Sequence, residues 1–250
     1  ARLPHVTRWL AANEPDVLCV QETKCTDDKF PFAELANIGY CASVFGQQSY
    51  NGVAILARNE CAEVQRGNYE DREGAHARLL AATIDGIKVV NVYIPNGQSV
   101  GSEKYEFKLD WMKRLRQFFD FNYQSDTPVL LCGDFNVAPE DRDVHNPQLW
   151  QERIMCSQAE RTTLDEIKRW GFTDSFRLHH EEGGAVGERA EVADVDDMRV
   201  ADRTRGLCLV EEALDHRPDA RGYPHGLIHD EARDAEKAAA KKAPAKTSWM

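Results

Sequence analysis

The 250-residue chain has no apolar run approaching membrane-spanning length, and no signal peptide is visible in it. It has no Cys-x-x-Cys pair, and its seven cysteines, at 19, 25, 41, 61, 132, 156 and 208, are scattered, several inside apolar runs. That distribution fits the reduced thiols of a cytoplasmic protein better than a disulfide framework. No His/Cys cluster has zinc spacing, no Gly-rich loop is built to cradle phosphates, and no Gly-x-Ser-x-Gly elbow presents a nucleophile. Internal repeats are absent as well. Positive charge is short: 31 Lys and Arg stand against 42 Asp and Glu, a net charge of -11. This excludes a protein that coats nucleic acid by bulk attraction, but not a nuclease that uses a local basic face and a divalent cation. Aromatic residues run out late, with only Tyr223 and Trp249 from Ala185 onward.

What is present is enough apolar residue, 42%, for a sizeable core in one large domain or two small ones. Leu3, Val6, Trp9 and Leu10 share a helical face, with Pro4 in a first turn and Pro15 beyond the end. Short apolar runs predict buried strands over 17–20, 40–45, 53–56 and 128–133. Asp85-Gly86 predicts a hairpin joining strands over 79–84 and 87–93. Helices are predicted over 32–37, over 103–121 with Leu109, Met112, Leu115, Phe118 and Phe119 along one side, and over 160–170 before Gly171. Hairpins mixed with crossovers imply sheets with antiparallel pairs and helices packed outside, an α/β chain that is not a purely parallel wound sheet.

Polar groups cluster at the carboxyl ends of these strands. Glu22 follows one, Tyr93 and Asn96 end another, and Asp134 and Asn136 follow a third. Loops at such ends are where sheet proteins hold reacting groups. Magnesium takes oxygen ligands, keeps several waters and uses one or two carboxylates plus substrate phosphate. Glu22, Asp134 and Asn136 meet that requirement if the strands are neighbours. Taken singly, each has a plainer reading. Gly133-Asp134-Phe135-Asn136 can be an Asx turn, Tyr93 a strand residue with a wet hydroxyl, Glu22 a solvated strand end, Lys24 a surface charge and Asn51-Gly52 a turn.

The ordered set changes that balance. Leu18-Cys19-Val20-Gln21-Glu22-Thr23-Lys24, Tyr50-Asn51-Gly52-Val53-Ala54-Ile55-Leu56, Asn91-Val92-Tyr93-Ile94-Pro95-Asn96-Gly97 and Gly133-Asp134-Phe135-Asn136-Val137-Ala138-Pro139 resemble exonuclease III of the endonuclease/exonuclease/phosphatase superfamily. Lys104-Tyr105-Glu106-Phe107-Lys108-Leu109 and Gly171-Phe172-Thr173-Asp174-Ser175-Phe176-Arg177 fit too, so the resemblance covers roughly 1–184. It implies a four-layered α/β sandwich of two mixed β-sheets flanked by helices. It implies a magnesium- or manganese-dependent phosphodiesterase of base-excision repair, a 3′–5′ exodeoxyribonuclease and abasic-site endonuclease. Its partner would be double-stranded DNA with abasic sites or 3′ ends; the protein would be monomeric, off the membrane, and at work on the nucleoid. By the same resemblance Glu22 binds the metal, and Asp134 activates water or handles the leaving-group proton beside the metal. Asn136 orients the phosphate or the nucleophile, also next to the metal. Tyr93 contacts the scissile phosphate with Asn96 beside it, and Lys24 and Asn51 touch DNA.

The chain departs from the family pattern at both ends. The family's opening strand, with a metal-binding Asn, would precede Ala1. Val210 stands where the family's Gly-Leu-Arg-Ile-Asp strand carries its Asp, and Ala238-Ala239-Ala240-Lys241 replaces the closing Ser-Asp-His. His216, His225 and His229 do not sit in that context. The expectation is therefore a domain over 1–184 lacking its first strand, a divergent remainder over 185–234 that reads as frame-shifted or rearranged coding, and an Ala/Lys-rich tail over 235–250. Low stability and exposed sheet edges would follow. Two alternatives accompany the nuclease reading: a catalytically silent fragment that binds DNA weakly, and a superfamily phosphatase.

Overall fold

The computed structural model describes residues 2–68, 76–124, 126–144, 146–175 and 177, and the backbone of Leu209–Glu211. His216, His225, His229 and the 235–250 tail lie outside the described residues. The helices are α1 (Leu3–Asn13), α2 (Phe32–Ala36), α3 (Glu103–Asn122), α4 (Pro147–Trp150) and α5 (Gln158–Lys168). The strands are β1 (Val17–Gln21), β2 (Cys41–Phe45), β3 (Val53–Ala57), β4 (Ala62–Arg66), β5 (Leu79–Ile84), β6 (Ile87–Tyr93), β7 (Val129–Asp134), β8 (Phe172–Asp174) and β9 (Leu209–Glu211).

Among these residues the strands form two sheets, ordered β1-β3-β2 and β4-β5-β6-β7-β9-β8. All pairings are antiparallel except β6 with β7, which are joined through α3. Period-two side-chain alternation builds the layers. In β3, Val53, Ile55 and Ala57 face the second sheet, meeting Leu80, Ala82, Val89 and Leu130. Ala54 and Leu56, on the opposite face of β3, pack with Leu10 of α1 and Leu35 of α2. In the second sheet Leu79, Ala81, Val90, Val92, Val129 and Leu131 turn outward onto Met112, Leu115 and Phe119 of α3 and Leu164 and Ile167 of α5. The order helix, sheet, sheet, helix is the four-layered sandwich expected from the sequence.

Several details differ from the sequence expectation. β4 was not foreseen, because as an edge strand with mostly exposed positions it carries no apolar period. α5 starts at Gln158 because Ser157 forms a capping box with Glu160. On α3 the buried stripe is Tyr105, Lys108, Met112, Leu115 and Phe119, and Leu109 is only half-buried. A lysine takes the core position that the sequence reading gave to a leucine.

The sheets are also tied by one buried amide. Asn91 of β6, wholly buried, donates through Nδ2 to Val20 O (3.1 Å) and Ala54 O (2.9 Å), and its Oδ1 accepts from Gln21 Nε2 (2.7 Å). Asn91→Ala leaves these partners unsatisfied between the sheets and is expected to cost about 3 kcal/mol in urea denaturation. Asn59→Ala, which breaks an exposed bond to Asp85, should change stability by about 0.5 kcal/mol or less. Equal losses in the two variants would sink the buried-clamp account.

Candidate active site

The parallel register of β6 and β7 sets Tyr93 directly beside Asp134. From the other sheet β1 delivers Glu22, whose Oε1 accepts a hydrogen bond from the Tyr93 hydroxyl (2.5 Å). The Oε2 atom of Glu22 pairs with Lys24 Nζ at 2.8 Å, and both side chains are about half exposed. Three strand ends, two of them neighbours in one sheet, therefore converge on one spot, as the sequence reading required.

Asn51 joins from the loop before β3. Lys24 N donates to Asn51 O (3.0 Å) and Thr23 N to Gly52 O (3.2 Å), while the Asn51 amide bonds Gln47 Oε1 (2.9 Å). Beyond β7 the Asx turn is real: Asn136 N donates to Asp134 Oδ1 at 3.0 Å. It is not the whole role of Asn136, whose buried carboxamide donates to Ile94 O (2.9 Å) and accepts from Asn96 Nδ2 (3.2 Å). All seven residues singled out in the sequence thus lie in strand ends and loops linked by hydrogen bonds or register. Four of them, Glu22, Lys24, Asn51 and Asn136, have positive φ, between 49° and 56°. Non-glycine residues in the left-handed region are costly and gather where geometry is over-determined by function.

Electrostatics fix protonation at the centre. Burial, then the bond to Glu22, pushes the Tyr93 phenol well above its ordinary value, so its hydroxyl is a donor at neutral pH. The Arg78 guanidinium lies over the Tyr93 ring, 4.7 Å from its centroid, and donates to Tyr93 O (3.0 Å). Burial holds the Arg78 value down, while Tyr93, Glu22 and Asp134 act against that. Sequence reasoning missed Arg78, which carries no motif signal of its own. It also missed Lys108 and Asn91, although both had one: each interrupts an apolar stripe with a polar group.

Among the described residues no group of three or more His, Cys, Asp or Glu side chains could hold a metal ion. The site offers a half-exposed carboxylate in Glu22 and a second carboxylate, Asp134, at the adjacent strand end. That oxygen donor set fits a hard cation that keeps water and takes substrate phosphate, and does not fit a closed transition-metal centre. No described helix is long and apolar enough to cross a membrane.

A two-sheet sandwich with carboxylates, amides and a phenol at its strand ends defines a class, and residues 2–189 match the model of the Endonuclease/Exonuclease/phosphatase family. The chain belongs to this family. It is 32% identical over 175 residues to exodeoxyribonuclease III of Haemophilus influenzae, an alignment covering 66% of this chain and 66% of that protein. The matched stretch is thus just under two thirds of the relative's length. Two solved structures share the fold at 34% identity. An AP endonuclease from Archaeoglobus fulgidus matches with a TM-score of 0.75 over 86% of this chain and 84% of that one. The 3′ phosphatase NExo from Neisseria, bound to a product DNA hairpin, matches with a TM-score of 0.73 over 85% and 82%.

Proposed function

We propose that the chain is a magnesium- or manganese-dependent phosphodiesterase acting on double-stranded DNA, incising at abasic sites and removing nucleotides from 3′ ends. The observation that carries this reading is the hydrogen bond from Tyr93 to Glu22 across the sheets, with Asp134 in register beside Tyr93. The names of the relatives support the same substrate class. Glu22, with Asp134, would hold the cation, which when bound supplies Lewis-acid polarisation of a phosphoryl oxygen. Asp134 takes the proton of the attacking water. Tyr93, kept protonated, donates to the phosphate. Asn136, with its carboxamide bonded to Ile94 O and Asn96, fits an orienting role better than that of a cation ligand, and Asn96 reaches the phosphate from it. Lys24 and Asn51 form a rim that touches the flanking backbone.

The test is cleavage of a duplex oligonucleotide carrying one abasic-site analogue. Incision should require magnesium, stop with EDTA and fall by about 10²-fold or more in kcat/KM for Glu22→Ala. Failure to incise by protein shown to be folded would instead establish the silent-fragment reading. A second activity, removal of a 3′-terminal phosphate from DNA, is favoured by the likeness to the Neisseria enzyme, and a 3′-phosphorylated duplex in the same assay reports it.

A further inference from the structure

Lys108 of α3 and Glu160 of α5 form an ion pair with both side chains wholly inaccessible. Besides Glu160 Oε1, the ammonium donates to Asn136 O at 2.6 Å and Asn96 O at 3.3 Å, so its three protons have three acceptors. Glu160 is equally saturated. Its Oε1 also accepts from Met155 N (3.0 Å), and its Oε2 from Ser157 N (3.1 Å) and Ser157 Oγ (2.8 Å). The Ser157 hydroxyl lies 2.7 Å from that of Tyr105, one turn before Lys108. The loop after β6 rests on the lysine stem: a Cβ on Gly97 would stand 3.1 Å from Lys108 Cδ and 2.9 Å from Ile154 Cδ1.

Stability alone does not account for this arrangement. A buried ion pair can often be replaced by apolar residues of similar volume with no loss. What apolar residues cannot do is grip two backbone carbonyls that belong to loops from different strands. We propose that Lys108 and Glu160 are positioning residues, which lock the loops after β6 and β7 together so that the carboxamides of Asn96 and Asn136 present one fixed surface to a phosphate. The role of those carboxamides rests on the function proposed above; the locking does not.

The test separates the two. The variant Lys108→Met with Glu160→Gln removes both charges, and the glutamine keeps one of the two acceptor oxygens, enough for the amide of Met155 or of Ser157 but not for both. It is expected to stay folded but to melt measurably below the unmodified protein, because the Asn96 and Asn136 carbonyls lose their buried donor. Amide hydrogen exchange at Asn136, bonded to Asp134, and at Ala138, bonded to Met155 O, should accelerate at least about tenfold. The amides of Val90 and Leu131 in the sheet should accelerate only as far as the loss of global stability requires, and less than those of Asn136 and Ala138. For duplex incision kcat should fall about 100-fold with KM changed less than about threefold, the signature of misplaced groups rather than lost binding. Exchange at Asn136 and Ala138 that accelerates no more than at Val90 and Leu131 would overturn the proposal, as would a kcat within about threefold of the parent. If the parent protein incises nothing, the functional reading fails and the exchange comparison still decides the locking. Should the double variant not fold, Lys108→Gln with Glu160→Gln, which also removes both charges and whose amide at position 108 serves at most two of the three acceptors, carries the same comparison.

Discussion

Asp134→Asn is expected to lower kcat for incision at an abasic-site analogue by about 10³-fold while leaving KM within a few-fold and the melting temperature within about 2 °C. That loss corresponds to about 4 kcal/mol at the transition state. The substitution is chosen for what it keeps. Asp134 Oδ1 accepts the Asn136 amide at 3.0 Å, and an asparagine oxygen can accept the same bond, so the turn that carries Asn136 survives. What disappears is the negative charge and the basicity that the water-activating role needs. Asp134→Ala would remove the turn as well and so would confound chemistry with structure. Activity within about tenfold of the parent would show that Asp134 is not the base, even if the cation requirement stood. Tyr93 gives an internal check. Asp134 is one of the charges that hold its phenol high, but burial and Glu22 rank above it, so Tyr93 remains a protonated donor in the variant.

Much of this site was legible because its residues are local to strand ends, and strand ends are punctuated. Pro128 opens β7 and Gly133 closes its apolar run, Asp85-Gly86 fixes the β5–β6 hairpin, and Pro95 follows the end of β6. With those boundaries the polar residues immediately beyond each apolar run fall out as candidates. The sequence could not say that β1, from a different sheet, brings Glu22 to Tyr93, because that pairing depends on how two sheets stack. It also gave no hint of Arg78, whose value lies in stacking on a ring fifteen residues away in the chain. The clearest misreading concerned α3. Helical spacing puts Lys108 on the line of Tyr105, Met112, Leu115 and Phe119, yet a lysine is almost never fully buried unless paired, so Leu109 looked the better core residue. Its partner Glu160 sits 52 residues away, beyond the reach of any period. The left-handed backbone of Glu22 and Lys24 was equally invisible, since neither residue type favours it.

Gly133→Ala should fail to fold. The strand β7 meets β6 with Gly133 opposite Val92, at a φ of 138°, and a Cβ there would lie 1.9 Å from Val92 O and 2.8 Å from both Val92 C and Val92 N. Every one of these atoms is backbone, so no side-chain rotation relieves the clash; the two central strands must part. The expected loss exceeds about 4 kcal/mol, a large share of what a domain of ordinary stability has. Gly86→Ala is the control. Its φ of 83° is also left-handed, but nothing lies within 4 Å of the added carbon, so the cost is the backbone preference alone, about 1–2 kcal/mol. Soluble yield, circular dichroism and the urea midpoint should separate the two variants, and a Gly133→Ala protein that melts like Gly86→Ala would refute the close-approach account. The same contact explains why a glycine precedes Asp134. Val92 with Gly133 and Tyr93 with Asp134 are consecutive rungs of one ladder. Tyr93 and Asp134 stand side by side because the rung below them carries no side chain on β7, and the strands can close to backbone contact just where the site begins.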